Sequence, residues 1–526
     1  MDDSSRQWPE KEQAQIRACL QRVLAHGLFA HSSRQQALLQ FVVEEALAGR
    51  AHLLKGYTLG VEVFGRGSNF DPVTDSIVRV EVARLRSKLV EYYAGEGGSE
   101  AVVFELPKGG YAPLIHTGRA GGTQTLRDNR PSLAVLPFVN ISDDSAQGYF
   151  ADGLTDDLIT DISKLSGLFV ISRQSSFVYK GSGKRAEEIA AELGVRHLLT
   201  GSVRKADDRV RISAQLVDAK SGCDLWAERY DRDANDIFAV QDDVAKRIVD
   251  ALEVKLSGFE RERLGYGGTK IMEAHDVLLR GLSEYWHFSR EGCLHAQSSF
   301  RHSLEIDPDY AVAHAWLARS YVMQYSMGWN TRDAETLDPA LMHAQRAVEL
   351  DDFLPLAHAM MGWVQLWRRK PEIAVAEGRR GCALNPNDAD AHLFLSYTLS
   401  ADGQGEEALR HIEQGLQLNP HPSSPYLLAL GQAYIALQDY EAAFDAFRQG
   451  IAINPAFVAN HAYLAVYYAL LGRMDEAMAA AAETRRIYPG ALPRPIFTDT
   501  AMYKRFLQGY TQVGFDKDVM LGRDLG

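Results

Sequence analysis

With 526 residues, 46% of them hydrophobic and 24% charged, the chain is long enough for about three to five folded domains and needs no extended disordered tract. A formal net charge of −13 excludes a general polyanion binder, because affinity for nucleic acid comes mainly from cations that neutralise phosphates. Any contact with DNA would have to be local. In chain order, residues 10–28 place Ile16, Leu20, Val23 and Leu24 on one side of an amphipathic helix, and residues 33–48 form a second, with Ser33 as N-cap and Gly49 as stop. A shorter helix follows, with Leu59, Val63 and Phe64 inward. Beyond a loop containing Pro72, the residues Val78, Val82, Leu85, Leu89 and Tyr92 recur at steps of four and three, an apolar stripe along a helix from Asp75 to Tyr93. Arg79, Arg84, Arg86 and Lys88 occupy its other faces. Residues 102–115, broken by Pro107 and Gly109-Gly110, read as a hairpin arm.

Helices, a basic helix and a hairpin follow the order of a winged helix-turn-helix. VRVEVARLRSKL and ELPKGGYAP resemble the recognition helix and wing of the OmpR/PhoB-type winged-helix regulators, over about residues 30–115. The resemblance implies DNA as a partner, with the helix in the major groove and the wing on phosphate or the minor groove. It places Arg79 and Arg84 nearest the bases or backbone, Arg86 and Lys88 on phosphates, and Lys108 on the wing. Arg79 stands where that family often has an acid. The family's N-terminal sheet and phosphorylatable receiver domain are not apparent, so control by phosphorylation does not carry over. Residues 1–118 are about neutral overall, so modest affinity is expected, raised by several sites or by a homodimer. The plainer reading of these arginines is a solvated helix face.

Residues 119–130 are polar and aperiodic, a linker. Residues 131–258 alternate strands and helices: SLAVLPFVNIS as a strand, FADGLTDDLITDISKL as a helix, LFVISRQSSFVYKG as a strand region, then a helix, a meander of strands and a long closing helix. AVLPFVN, YFADGLTDDLI and GSVRKADDRVRISAQLVD are similar to the N-terminal domain of TolB and to the domain that accompanies tetratricopeptide repeats in many bacterial regulators. Asp152, Asp156, Asp157 and Asp161 share the first helix. They are read as acids favoured in an N-terminal turn by the helix dipole rather than as metal ligands. No phosphate loop and no Gly-x-Ser-x-Gly elbow is present.

From residue 270 to 489 the chain repeats itself. Endings such as LEIDP, CALNP, LQLNP and IAINP put prolines at 308, 386, 420, 455 and 489, a period near 34 with one insertion of about ten residues. This is the tetratricopeptide period, with about six units and two antiparallel helices in each. Leu430, Gly431, Tyr434, Ala443 and Phe447 fit its alternation of small and large side chains. The resemblance implies a groove for a protein or peptide partner, which Trp316, Trp363 and Trp367 could line, with core packing the plainer role for each. Residues 490–526 read as a capping helix and tail.

The fold class expected is therefore multidomain α+β: an N-terminal winged helix-turn-helix, a central α/β domain and a C-terminal all-α tetratricopeptide-repeat solenoid. The four cysteines, Cys19, Cys223, Cys293 and Cys382, form no CxxC pair or mixed Cys/His cluster along the chain, so no metal, cofactor or disulfide framework is expected. No signal peptide and no apolar run of membrane length is evident, so a cytoplasmic protein without a membrane partner is expected. The function expected is a non-enzymatic, DNA-binding transcriptional regulator whose α/β and repeat domains receive a protein or ligand signal. The alternative is a tetratricopeptide-repeat scaffold or signalling adaptor that does not bind DNA.

Overall fold

A computed structural model describes residues 10–26, 29, 32–50, 53–67, 70, 77–94, 102–106, 111, 113–117, 130–142, 144–206, 209–233, 236–254, 256–257, 260, 268–327, 329, 337–488 and 497–515. Two compact units divide the chain, Met1–Arg127 and Asp128–Gly526.

The first unit holds α1 (Glu10–Ala25), α2 (Ser33–Leu47), α3 (Gly56–Glu62) and α4 (Ile77–Ala94), followed by β1 (Val102–Glu105) and β2 (Leu114–Thr117). The apolar stripe of α4 is buried as its periodicity requires, with Val78, Val82, Leu85, Leu89 and Tyr92 packed against Leu38, Leu39 and Val42 of α2. β1 and β2 are antiparallel, pairing Val102 with Thr117 and Glu105 with Leu114. The Cys19 thiol donates to the Val102 carbonyl at 3.2 Å and ties α1 to that ribbon. Ser33 opens α2 as its first helical residue and Ser32 takes the N-cap position, one residue earlier than expected. The expected loop at Pro72 and the expected breaks at Pro107 and Gly109-Gly110 fall outside the described residues.

The second unit begins with a sheet of β3 (Ser132–Val135), β4 (Val139–Asn140), β5 (Phe169–Val170), β6 (His197–Ala206), β7 (Arg209–Asp218) and β8 (Cys223–Asp233). Its order is β5-β3-β6-β7-β8, with β4 also on β6. The pairs β3–β5, β3–β6 and β4–β6 are parallel, and the β6–β7–β8 meander is antiparallel. α5 (Gly148–Ser163), α7 (Ala186–Leu193) and α8 (Ile237–Ala251) cover it, and a short α6 (Arg173–Phe177) follows β5. LFVISRQSSFVYKG is thus not a strand region. After two residues of β5 the Ser172 amide donates to the Leu418 carbonyl at 2.8 Å, far along the chain, and a helix starts instead of a longer strand.

Six helix pairs follow: α9 (Met272–Tyr285) and α10 (Arg290–Ile306), α11 (Ala311–Met327) and α12 (Asp338–Leu350), α13 (Pro355–Trp367) and α14 (Pro371–Leu384), α15 (Ala389–Ala401) and α16 (Gly405–Leu418), α17 (Ser424–Ala436) and α18 (Tyr440–Ile453), α19 (Val458–Leu470) and α20 (Met474–Ile487). A further helix, α21 (Thr500–Gln512), packs on α19. Within a pair the helices approach as closely as their small residues allow: a Cβ on Gly431 would lie 2.1 Å from the Phe447 ring. The turn inside a pair places one residue in the left-handed region. Glycine fills that position at Gly403 and Gly472, but Phe288, Arg369 and Gln438 fill it elsewhere.

The α/β layer and the repeats share one hydrophobic core, in which Leu154 and Leu158 of α5 lie with Leu278 and Leu279 of α9. Asparagines in and beside the repeated Asn-Pro endings complete the junction. Asn385 Nδ2 donates to Ser163 Oγ at 2.8 Å, and Asn387 Nδ2 to the Ser163 carbonyl at 2.9 Å. Ser175 Oγ donates to Asn419 Oδ1 at 2.5 Å and accepts from the His421 amide at 2.8 Å. A motif residue that closes a helix pair therefore also holds α5 and α6.

Candidate functional site in the repeat groove

The first helices of successive pairs pack side by side, and α5 and α6 lie over them. Between the layers is a cavity of about 680 Å³. Trp316 and Arg319 of α11, Trp363 of α13, and Asp390 and Phe394 of α15 line one side, and Asp156 and Arg173 line the other. Trp316 and Trp363 are buried as core residues are, and both also border this space.

The polar centre is a buried ion pair. Arg319 Nη2 meets Asp390 Oδ2 at 2.6 Å, and Arg319 Nε donates to the Tyr285 hydroxyl at 3.1 Å. The Tyr426 hydroxyl donates to the other Asp390 oxygen at 2.7 Å. Burial works against the Arg319 charge, but Tyr285 and Asp390 outweigh it and hold the guanidinium above its ordinary value. Four rings, of Tyr285, Trp286, Trp316 and Phe394, surround it at 4.9 to 5.7 Å, a cation–π cage.

Opposite this pair, Arg173 stacks on Phe177 at 3.8 Å and on Trp286 at 4.3 Å, with its Nε 3.5 Å from Asp156 Oδ1. Burial pushes the Asp156 carboxyl up to about 6 against the pull of Arg173. Asp388, beside the Arg319 pair, is raised to about 6 by burial and by Asp390. Among the described residues the buried indole N–H groups of Trp286 and Trp367 meet no hydrogen-bond acceptor.

The carboxylates of α5 differ from expectation. The helix starts at Gly148, so Asp156 and Asp157 lie past its middle rather than in an N-terminal turn. Asp157 accepts from Gln241 at 2.7 Å and meets His275 Nε2 at 3.0 Å, bracing α8 and α9, while Asp156 faces the cavity.

In the first unit Arg84 is exposed and pairs with buried Glu81 at 3.0 Å. Arg86 Nε donates to the Leu106 carbonyl at 2.7 Å, and Lys88 Nζ to Ser32 Oγ at 2.7 Å. Arg79 lies on α4, but its side chain and all of Lys108 are outside the described residues. The fold also brings Cys382, His392 and His411 together, a mixed cluster that spacing along the chain did not indicate.

Residues 424–457 match the family described as tetratricopeptide repeat. The chain carries tetratricopeptide repeats. It is 46% identical over 241 residues to "Putative adenylate cyclase 3" of Rhizobium meliloti (strain 1021), covering 46% of this chain and 41% of that protein. It is 26% identical over 235 residues to Superkiller complex protein 3 of Mus musculus, covering 37% of this chain and 14% of that protein. The chain thus spans less than half the length of these relatives. Among solved structures it is similar to TTC0263, a thermophilic TPR protein of Thermus thermophilus, with 17% identity over 40% of this chain and 98% of that one, and a TM-score of 0.30. It is also similar to YrrB, titled a TPR protein with an unusual peptide-binding site, with 20% identity over 39% of this chain and 96% of that one, and a TM-score of 0.26. Among the described residues no helix is long and apolar enough to cross a membrane.

Proposed function

We propose that the chain is an interaction adaptor whose repeat groove receives a segment of a protein partner, with an apolar side chain of the partner in the cavity and its polar backbone against the Arg319 cage. The mouth of the cavity carries this reading. Phe288 and Phe353, 58% and 41% exposed, border it, with Trp316 and Trp363 behind them. Phe288 holds φ of +48°, a conformation that costs a bulky residue on the order of 1–3 kcal/mol. An aromatic kept exposed in a strained position, where two sister repeats use glycine, fits a residue retained for contact. The activity in the name of the Rhizobium meliloti relative is not taken over, since this chain spans 41% of that protein.

Selection of displayed random peptides on the full chain, followed by titration of the winners, tests the proposal. Phe353→Ala and Phe394→Ala should each weaken binding by roughly tenfold or more, the range of an interface anchor. Winners that bind both variants as well as the parent would refute it.

One observation favours a second reading, DNA contact by the first unit: α4 turns Arg84 outward and is followed by the paired β1 and β2. In this reading Arg84, with Arg79 and Lys108, meets DNA, and Arg86 and Lys88 also brace the helix through Leu106 and Ser32. Anisotropy titration with genomic fragments at low salt should show Arg84→Ala costing about 1–3 kcal/mol if it reads a base. Undetectable binding by the parent chain would end this reading.

A further inference from the structure

Cys382 near the end of α14, His392 on α15 and His411 on α16 come from three successive helices. The Cys382 thiol and one ring nitrogen from each histidine all lie within 4.8 Å of one another. Cys382 and His392 are buried, and His411 keeps a partly exposed edge.

The ring orientations make the cluster informative. His392 Nε2 lies 3.2 Å from the Pro386 carbonyl, a group that can only accept, so Nε2 carries the proton and Nδ1 presents a lone pair. His411 Nε2 lies 3.9 Å from Glu407 Oε1, beyond hydrogen-bond reach. Glu407 is itself held by Arg379 at 2.7 Å. The two Nδ1 atoms are 2.9 Å apart, so in the metal-free chain His411 Nδ1–H donates to the Nδ1 lone pair of His392, and an ion would take the place of that proton.

A backbone carbonyl behind the ring, as Pro386 stands behind His392, is a partner that metal-bound histidines use to fix tautomer and orientation. The thiol completes the donor set. A bound cation would displace the thiol proton.

The chain contains its own comparison. Two repeats earlier, His314 and His343 make the same pair, with Nδ1 atoms 2.8 Å apart and His314 Nε2 3.1 Å from the Pro308 carbonyl. Four residues before that proline, where the cluster has Cys382, stands Leu304. The histidine pair is thus a feature of the repeat, and the thiol distinguishes one copy of it.

We propose that Cys382, His392 and His411 form a three-ligand site for a zinc-class divalent transition ion, with a fourth position left for water or an incoming ligand. One thiolate with two imidazoles suits such an ion and not magnesium or calcium. Metal–ligand bonds of about 2.0–2.3 Å place tetrahedral donors about 3.3–3.8 Å apart, so the ring nitrogens would open by a few tenths of an ångström while the thiol, within 4.8 Å of them, would draw in. The ion would staple α14, α15 and α16 beside Asn385 and Asn387, the residues that hold α5.

The test is Co²⁺ titration of the full chain after chelation and desalting. The expected result is the visible d–d spectrum of tetrahedral Co²⁺ with a near-ultraviolet thiolate-to-metal band. Cys382→Ser should abolish that band, and His411→Ala should weaken binding roughly tenfold or more. His343→Ala, in the pair without a thiol, should change neither. X-ray absorption of the parent chain with one equivalent of Zn²⁺ covers the case in which the variants do not fold, and should show one sulfur neighbour at about 2.3 Å. A Co²⁺ spectrum that is octahedral and the same in Cys382→Ser, or zinc surrounded by nitrogen and oxygen only, would overturn the site and leave a hydrogen-bonded pair of neutral histidines.

Discussion

Replacing Asp390 by alanine tests how the repeat groove is held. The change strands Arg319, whose side chain is 8% exposed, and takes the acceptor from the Tyr426 hydroxyl. Breaking a buried pair from one side costs about 3–5 kcal/mol, because the remaining charge is left in a medium that cannot solvate it. Two features place the cost near the lower end. Asp390 keeps 29% exposure, so water reaches the vacated side, and the four-ring cage still attracts the guanidinium. A loss of about 3 kcal/mol is expected. Urea unfolding followed by tryptophan fluorescence reads it in the second unit, where Trp226, Trp286, Trp316, Trp329, Trp363 and Trp367 lie. Arg319→Met combined with Asp390→Leu removes both charges at similar volume and should recover most of the loss. A loss under about 1 kcal/mol for Asp390→Ala, or a double variant no more stable than the single one, would refute the reasoning.

Further outcomes follow from the same geometry. Burial raises the Asp156 carboxyl to about 6 in the folded chain, above its ordinary value of 3.8, so the folded state binds the proton more tightly and this residue adds stability as pH falls from about 7 toward 4. Relative to Asp156→Asn, the parent chain should gain up to about 3 kcal/mol over that interval, and parallel stability curves would contradict the assignment. Asn419→Ala removes the acceptor of Ser172 and Ser175, and should speed amide hydrogen exchange in residues 172–177 while leaving β7 protected; unchanged exchange would show that the junction does not need it. Phe288→Gly should raise stability by about 1 kcal/mol through relief of the left-handed strain and at the same time weaken peptide binding. A loss of stability would show that Phe288 serves packing.

The repeats were legible because their proline endings recur at a fixed period and each pair needs small residues where helices touch, as at Gly431 against Phe447. The α4 stripe was legible for a similar local reason. What escaped depends on contacts distant along the chain. Ser172 turns into α6 because its amide meets Leu418, and nothing near Ser172 announces that bond. α5 begins at Gly148 behind Gln147, which makes no side-chain cap, so the helix start was placed too late and Asp156 was read as an N-terminal acid. The Arg319–Asp390 pair spans 71 residues, and the approach of Cys382 to His392 and His411 requires three helices to be stacked first. A cue was present all the same, since Pro308 and Pro386 are each followed six residues later by a histidine.

The most direct measurement places a photo-crosslinking phenylalanine analogue at position 353, on the mouth of the cavity, and a second at Met478, an exposed position on α20 that does not line it. Full chains carrying one or the other are irradiated in cells, and the products are mapped by mass spectrometry. An adaptor that binds its partner in the groove gives a discrete crosslinked protein from position 353, lost with Phe394→Ala and absent from position 478. The same crosslinked species from both positions, or from position 478 alone, would contradict it.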